Sequence, residues 1–239
     1  YFHKKKNYEK SSENLLMANE NKLIFRPSDF ENLITYTKHL EIHTDKEKIL
    51  SNTKSPEAIF IVGMPRSGST LLESILSMND KVTDLGETEI LETSFMEWIK
   101  SKNNQNSACF SEIYFEKIDS RTQKNKISTN KCLTNYQYAG LIAKQFPNAK
   151  IIHCRRNPFD NILSIYRAHF TSDFSYSSSL KDCANVYIDQ DQIMKKYKTK
   201  YKSKIFDLNY DLMVTKPKKE IKSLVSWLGW EWDDSYLNP

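Results

Sequence analysis

An uninterrupted apolar run near residue 60 is the clearest structural signal along the chain. The run reads AIFIVG at residues 58–63, and every position in it is apolar or glycine. A strand of this kind is typical of a parallel sheet that is covered on both faces. Residues 68–78 follow at once with helical periodicity, and one face of that helix carries Leu71, Leu72, Ile75 and Leu76. The pattern therefore predicts a strand, a glycine loop and a helix in direct succession.

Further strands and helices alternate along the rest of the chain. AKIIHC at 149–154 and SKIFDLNY at 203–210 are strand candidates, and KIST at 126–129 is a weaker one. Helical patterns fill the intervals, at 88–100, 136–145, 158–170, 180–201 and 216–228. Such alternation predicts an α/β fold with a parallel sheet flanked by helices. Ligands of these sheets bind at the carboxyl ends of the strands, which is where the glycine loop falls.

A short helical segment precedes this sheet. Residues 7–20 and 28–43 have helical patterns, and Ser28 is the predicted N-cap of the second helix. The polar break Thr53–Pro56 follows. We therefore divide the chain into a helical segment, 1–52, and an α/β domain, 53–239. The spacing of small and apolar residues in the first helix echoes the end of a tetratricopeptide array, although any amphipathic helix pair can show it.

The composition argues against three classes of protein: nucleic-acid-binding, zinc-binding and membrane-spanning. The chain has 239 residues and a net charge of +5, and its basic and acidic residues are interspersed, so a solvated surface is favoured over a nucleic-acid interface. The four cysteines are widely spaced, without the clustering of a zinc site. No apolar run is long enough to span a membrane. Because no leader is visible we expect a cytoplasmic protein, or a secretory-lumen protein if a leader precedes residue 1, which is not Met.

The glycine loop reads GMPRSGST at residues 63–70. Backbone N–H groups at the start of a helix, together with the helix dipole, form an anion site. A nucleoside-triphosphatase loop has a lysine where Ser69 stands, and in this chain Arg66 provides the cationic group instead. An ordinary turn of small residues is the alternative. No acidic pattern for Mg²⁺ follows a strand, so we expect no metal.

This segment resembles the 5'-phosphosulfate loop of the sulfotransferase superfamily. It is most similar to the branch of tyrosylprotein sulfotransferases and of bacterial sulfotransferases with tetratricopeptide repeats. The resemblance covers about residues 55–235. It implies a nucleotide-kinase-like fold and the donor 3'-phosphoadenosine 5'-phosphosulfate (PAPS), whose product nucleotide is PAP. The loop residues that would bind this donor are Arg66, Ser67, Gly68, Ser69, Thr70 and Leu71.

Two downstream segments extend the resemblance to catalytic residues. In DLGETEI, Glu87 takes the position of the family's proposed general base, although a Glu at a helix start can simply stabilise that helix. In TNKCLTN, Lys131 would assist the leaving phosphate or the sulfuryl oxygens, where the alternative is an exposed surface lysine. Asn130 and Leu133 replace an Asp and a Pro of the bacterial pattern, and these departures concern the local backbone more than the charge.

Two later segments carry the nucleotide contacts that the resemblance implies. In IIHCRRNPFDNILSIYRAHF, Arg156 and Ser164 fit a 3'-phosphate site, and Arg155 is the alternative arginine. Asn157 or Pro158 can begin the following helix. His153 and His169 also lie in this segment, and we assign them no role. Near the end of the chain Tyr210 is either a nucleotide contact or a core tyrosine.

The function that these residues imply is sulfuryl transfer from PAPS to an acceptor hydroxyl, on a protein or a small molecule. Glu87 would be the base, and Arg66 and Lys131 would stabilise the transition state. Members of the family have a further loop after the segment that matches the end of this chain, and that loop closes over the nucleotide. We therefore expect the domain at 53–239 to lack this closing loop. A nucleotide-kinase-type phosphotransferase and a catalytically inactive interaction module, docking partners through the helical N-terminus, are the two alternatives.

Overall fold

The computed structural model describes residues 2–51, 55–102, 108–122, 126–170 and 174–239. Within these ranges the chain forms a five-stranded sheet in which every pairing is parallel. The strands are β1 Ala58–Gly63, β2 Val82–Asp84, β3 Ile127–Asn130, β4 Ala149–Arg155 and β5 Ile205–Asn209, in the order β2-β3-β1-β4-β5. The predicted α/β fold with a parallel sheet flanked by helices is confirmed.

The ten helices of the described residues surround this sheet. They are α1 Tyr8–Phe25, α2 Phe30–Lys46, α3 Ser69–Ser77, α4 Ile90–Ser101, α5 Phe110–Ile118, α6 Ala139–Gln145, α7 Pro158–Arg167, α8 Leu180–Lys200, α9 Tyr210–Thr215 and α10 Pro217–Leu228. Short 3-10 turns lie at 119–121, 133–138, 175–178 and 234–237.

β1 is the centre of the molecule because both of its faces are buried. Phe60 and Val62 face one apolar cluster, and Ile59 and Ile61 face the other. Alternate side chains of a strand point to opposite faces of its sheet, so a strand between two layers of helices must be apolar throughout. The register pairs Gly63 with Cys154 of β4, so neighbouring strands end close to the glycine loop.

Three elements were not predicted from the sequence. They are the three-residue strand β2 and the helices α5 and α9. Tyr210 begins α9 instead of ending a strand, because the Asn209 side chain accepts a hydrogen bond from the Leu212 N–H and caps the helix.

The predicted N-cap of the second helix is wrong by one residue. The helix begins at Phe30 with Asp29 as N-cap, not Ser28, and the first helical hydrogen bond runs from the Leu33 N–H to the Asp29 carbonyl. The Asp29 carboxylate accepts a hydrogen bond from the Asn32 amide and does not cap the backbone.

The two N-terminal helices differ in how far they are buried. α1 has a single buried residue, Asn19, whereas α2 buries Thr37, Leu40 and Thr44. The buried Lys144 ammonium of α6 donates to the carbonyl oxygens of Thr44 at 2.6 Å and Glu47 at 2.7 Å. α2 is therefore part of the core that supports the sheet. The tetratricopeptide-like character of residues 1–52 and the division at residue 53 stay predictions, and Thr53 of the predicted polar break lies outside the described residues.

None of the helices in the described ranges is both long enough and apolar enough to cross a membrane.

Candidate functional site

The loop between β1 and α3 has an unusual backbone. Gly63, Arg66 and Gly68 all have positive φ angles, of 146°, 66° and 91°. Gly68 is the N-cap of α3, so the first N–H groups of that helix have no acceptor within the helix. The helix dipole adds partial positive charge at the same point, and together they favour an anion.

Arg66 is held in its left-handed conformation by the segment after β4. Its carbonyl accepts a hydrogen bond from Arg156 Nη1 at 3.2 Å, and its own Nε lies 3.4 Å from Ser164 Oγ. The buried Asn161 amide donates to the Pro65 carbonyl at 2.8 Å. A non-glycine residue with positive φ is strained, and such strain persists where the surroundings impose it. The structure thus brings three predicted site residues, Arg66, Arg156 and Ser164, into direct contact.

Tyr210 packs on the loop from the other side. A Cβ atom on Gly68 would lie only 2.1 Å from Tyr210 Cδ2, so no other residue could allow this approach. The Arg156 guanidinium lies over the same ring, 4.9 Å from its centre. The aromatic ring and the guanidinium therefore form one wall beside the N-terminus of α3.

Arg155, the alternative arginine, points away from this wall. Its Nε pairs with the Asp207 carboxylate at 2.9 Å. The buried His153 ring bonds to Asp207 through Nδ1 at 2.8 Å and to the Gln190 amide through Nε2 at 2.6 Å. Burial lowers the pKa of His153, and the bond to Asp207 opposes that shift. These contacts join β4 to its neighbours and lie outside the loop.

Glu87 and Lys131 meet on the opposite side of the loop. Lys131 Nζ lies 3.0 Å from Glu87 Oε1 and 3.4 Å from Thr70 Oγ1. The lysine side chain is 9% exposed, whereas that of Glu87 is 68% exposed. Burial alone would lower the pKa of Lys131, but the hydrogen bond to Glu87 and the nearby carboxylates raise it. Lys131 is thus a buried, charged ammonium, not a surface lysine.

The two departures in the lysine segment leave an ordered turn. Asn130 Oδ1 accepts hydrogen bonds from the Cys132 N–H at 3.1 Å and from the Asn135 amide at 3.0 Å. Its amide donates to the Tyr114 hydroxyl at 3.3 Å. Leu133 begins the 3-10 turn that follows. Asn130 therefore fixes the backbone next to Lys131 with its own side chain.

Glu73 was not predicted from the sequence as a site residue, although its carboxylate is a direct neighbour of the Lys131 ammonium group. Glu73 is on α3 and only 5% exposed, and its carboxylate lies 3.5 Å from Lys131 Nζ. Burial, and then the neighbouring Asp84, raises the pKa of Glu73 to about 7, against the opposing effects of Lys131 and Thr129. A glutamate within the apolar face of a predicted helix was the available signal, since burial of such a group needs partners.

These side chains surround a cavity of about 780 Å³. Eight of the predicted site residues line it directly. Lys131 and Ser164 contact two of these lining residues, Glu87 and Arg66, and Ser67 lies between the lining residues Arg66 and Gly68 in sequence. Four apolar or aromatic residues also line it and were not predicted as site residues: Leu33 and Tyr36 of α2, Phe170 and Phe174. α2 is more than a hundred residues away from Phe170 and Phe174 in sequence, so the way in which these side chains meet becomes visible only once the chain is folded.

The site contains polar atoms that suit an anionic ligand. Ser67 Oγ and Arg156 Nε are buried and have no hydrogen-bond partner among the described residues. Buried polar groups in proteins normally have partners, so these two donors beside the loop are suited to a phosphate or sulfate group. Within the described ranges, no group of three or more His, Cys, Asp or Glu side chains is arranged to hold a metal ion.

Comparison of the sequence with known protein families identifies the family of this chain. The profile of the sulfotransferase family matches residues 56–234, about three quarters of the chain. The chain belongs to the sulfotransferase family. The match includes every site residue described above except Leu33 and Tyr36.

Similar sequences include an uncharacterized protein of Aquifex aeolicus, 26% identical over 98% of this chain and 34% of that protein. The protein-tyrosine sulfotransferase of Drosophila melanogaster is 23% identical over 81% of this chain and 42% of its own length. Protein-tyrosine sulfotransferase 2 of Gallus gallus is 22% identical over 90% and 60%. The chain thus spans between about a third and three fifths of the relatives it matches.

Solved structures of sulfotransferase domains share the fold. The domain from the Synechococcus PCC 7002 olefin synthase superposes with a TM-score of 0.56 at 17% identity, covering 81% of both chains. The domain from the curacin biosynthetic pathway gives a TM-score of 0.55 at 17% identity, covering 76% of this chain and 77% of that one.

Proposed function

We propose that this chain transfers a sulfuryl group from PAPS to an acceptor hydroxyl. The observation that carries the proposal is the placement of Arg66 and Glu87 in one cavity at the N-terminus of α3, with Lys131 paired to Glu87. Two fixed cations and a set of free helix N–H groups favour a transferring anionic group, and the carboxylate beside them can accept a proton. Membership of the sulfotransferase family supports the same reaction.

The residues around the loop suit the nucleotide of PAPS. The free N–H groups of α3, with Ser67 and Ser69, would hold the 5'-phosphosulfate, while Arg156 and Ser164 would hold the 3'-phosphate. The unpartnered Arg156 Nε and Ser67 Oγ support this assignment, because both are buried donors beside the loop. Tyr210 lines the same cavity and would contact the nucleotide. When bound, PAPS supplies the sulfuryl group that the acceptor receives.

Glu87 is the residue that we assign as general base. Its carboxylate is largely exposed within the cavity, so an acceptor hydroxyl can approach it, and it already accepts a hydrogen bond from Lys131. Proton removal by a positioned base is worth about 10²- to 10⁴-fold in rate. Arg66 and Lys131 place positive charge where negative charge develops, and Lys131 is oriented by contacts on both sides.

The acceptor carries a hydroxyl group, and three classes of acceptor are to be tested. Two similar proteins are named protein-tyrosine sulfotransferases, which makes a tyrosine peptide the first probe. A monosaccharide and a simple phenol represent the other classes. Part of the cavity wall is apolar or aromatic, and it consists of Leu33, Tyr36, Phe170 and Phe174. Such a wall suits an aromatic acceptor ring.

Two measurements test the proposal. Purified protein is incubated with PAPS and each of the three acceptors, and sulfated product is detected by mass spectrometry. Thermal unfolding is then followed with PAP, with ATP and Mg²⁺, and without ligand. We expect one acceptor to gain a sulfuryl group and PAP to raise the unfolding temperature more than ATP and Mg²⁺, because the loop has no lysine for a triphosphate. Stabilisation by ATP and Mg²⁺ alone would overturn the proposal.

A further inference from the structure

Glu73 is the only carboxylate among the buried side chains of the described residues. It lies on α3, one helical turn after Ser69, and is 5% exposed. A carboxylate is removed from water at a large free-energy cost unless partners compensate for it. Its partners therefore indicate why a glutamate stands where the rest of this helix face is apolar.

The partners of Glu73 come from the two strands beside α3. Thr129 Oγ1, on β3, donates to Glu73 Oε1 at 3.2 Å. Lys131 Nζ, just past β3, lies 3.5 Å from Glu73 Oε2. The Asp84 side chain, on β2, is close enough to raise the pKa of the Glu73 carboxyl group. Glu73 thus has one cation, one hydroxyl and one second carboxyl group around it, and it is fixed in place.

Lys131 has two carboxylate partners that differ in their exposure to solvent, Glu87 and Glu73. Its ammonium group has three N–H donors, and its three neighbours are Glu87, Thr70 and Glu73. Thr70 and Glu73 are three residues apart on α3, so they share a face of that helix. Glu87 is the exposed partner and is free to turn toward the cavity, whereas Glu73 is enclosed.

We propose that Glu73 is the positioning residue of Lys131. It keeps the ammonium group at the N-terminus of α3 while Glu87 leaves the lysine to accept the proton of the acceptor hydroxyl. This inference rests on the proposed sulfuryl transfer, and it assigns different roles to two carboxylates that share one lysine. Glu73 contacts neither donor nor acceptor and acts only through Lys131.

The role of Glu73 gives a distinct dependence on pH. Burial, and then Asp84, raises the pKa of Glu73 to about 7, while Lys131 and Thr129 oppose the shift. Above that pH the group is an anion that attracts Lys131. As the pH falls through about 7 it gains a proton, and Lys131 is left with Glu87 as its only anionic partner among the described residues. The rate should then fall, because Glu87 stays paired with the lysine.

The test compares wild type with Glu73→Gln, which keeps the size of the side chain and removes its charge. We expect kcat to fall about 10-fold at pH 8 with little change in KM for PAPS, less than the 10²- to 10³-fold effect of deleting an anion-stabilising donor outright. The fall in rate below pH 7 should disappear in this variant. Glu220→Gln is the matched control, since Glu220 accepts a hydrogen bond from the Asn209 N–H outside the cavity and should keep the wild-type profile.

A second comparison separates positioning from a general effect on folding. Lys131→Met is made alone and together with Glu73→Gln, and we expect the double variant to be no slower than Lys131→Met, because Glu73 acts through the lysine. NMR of ¹⁵N-labelled lysine in the PAP complex follows the Lys131 ammonium directly. Its signal should shift with a midpoint near pH 7 in wild type and not in Glu73→Gln.

Different results overturn different statements. A wild-type protein that binds PAP but transfers no sulfuryl group to any of the three acceptors overturns the proposed function. An active wild type with unchanged kcat in Glu73→Gln, or with fully multiplicative effects in the double variant, overturns only the positioning role. A Lys131 signal that does not respond to pH near 7 overturns it as well.

Discussion

At the scale of single residues, Arg156 links the most parts of the site. It donates to the Arg66 carbonyl and lies over the Tyr210 ring. We predict that Arg156→Ala chiefly weakens PAP binding. A hydrogen bond to a charged group contributes about 1.5–3 kcal/mol, which corresponds to roughly a 10- to 100-fold rise in the dissociation constant. Isothermal titration calorimetry with PAP measures this.

The adjacent arginine is a matched control for that prediction. Arg155→Ala removes the same charge from the end of the same strand, but Arg155 pairs with Asp207 and not with the loop. We expect its effect on PAP binding to be small. Equal weakening in the two variants would show that only the overall positive charge matters, and would remove the assignment of Arg156 to the 3'-phosphate.

Glu87 allows the base assignment to be tested apart from binding. We predict that Glu87→Ala lowers turnover about 10²- to 10⁴-fold, below detection, because the carboxylate beside Lys131 that would accept the proton is removed. Binding of PAP should persist, since the loop and Arg156 are untouched. Glu97→Ala, which removes an exposed carboxylate paired with Lys117 on α5, should leave turnover unchanged. Turnover near the wild-type rate in Glu87→Ala would eliminate the residue as base.

At the scale of secondary structure, the loop depends on a close approach between Gly68 and α9. We predict that Gly68→Ala destabilises the protein and weakens PAP binding, because the added methyl group would lie 2.1 Å from the Tyr210 ring. Gly229→Ala is the control, because Gly229 also has a positive φ, of 79°, but no atom lies within 4 Å of its added Cβ. That change should cost only the backbone strain, about 1–2 kcal/mol.

Denaturant unfolding of the two glycine variants gives the comparison directly. If Gly68→Ala loses no more stability than Gly229→Ala and binds PAP like wild type, then the contact between the loop and Tyr210 has no energetic importance. A larger loss in Gly68→Ala supports Tyr210 as part of the loop's wall.

The elements that could be predicted from sequence are those whose pattern is local. β1 is apolar at every position because it is covered on both faces, and the loop and α3 follow it directly, so this part of the site is contiguous in sequence. β2 has only three residues, too few for a pattern to emerge. The partners of Glu73 and the wall formed by Leu33 and Tyr36 depend on contacts between distant segments, which a single sequence does not display.

At the scale of the whole molecule, α2 belongs both to the core and to the cavity. Its Tyr36 hydroxyl lies 2.6 Å from the Tyr138 hydroxyl, and the buried Gln137 amide donates to Thr37 Oγ1 at 2.8 Å. Leu33 and Tyr36 line the cavity from the same helix. The N-terminal segment therefore does more than offer an outer docking surface, because it completes the side of the cavity where we expect the acceptor.

Two truncations test how much of the N-terminal segment the sheet requires. Removing residues 1–26 deletes α1, whose only buried residue is Asn19, and we predict a folded protein that still binds PAP.

Removing residues 1–51 also deletes α2, with the buried Leu40 and the acceptors of the Lys144 ammonium. The loss of one buried leucine side chain lowers the free energy of unfolding by about 2–5 kcal/mol. A buried ammonium group without acceptors lowers it further. The total free energy of unfolding of a protein is only about 5–15 kcal/mol. The longer truncation should therefore show no cooperative thermal unfolding by circular dichroism and no PAP binding. A cooperative transition in that variant, with PAP binding retained, would mean that residues 52–239 fold independently and that α2 serves only the acceptor side of the cavity.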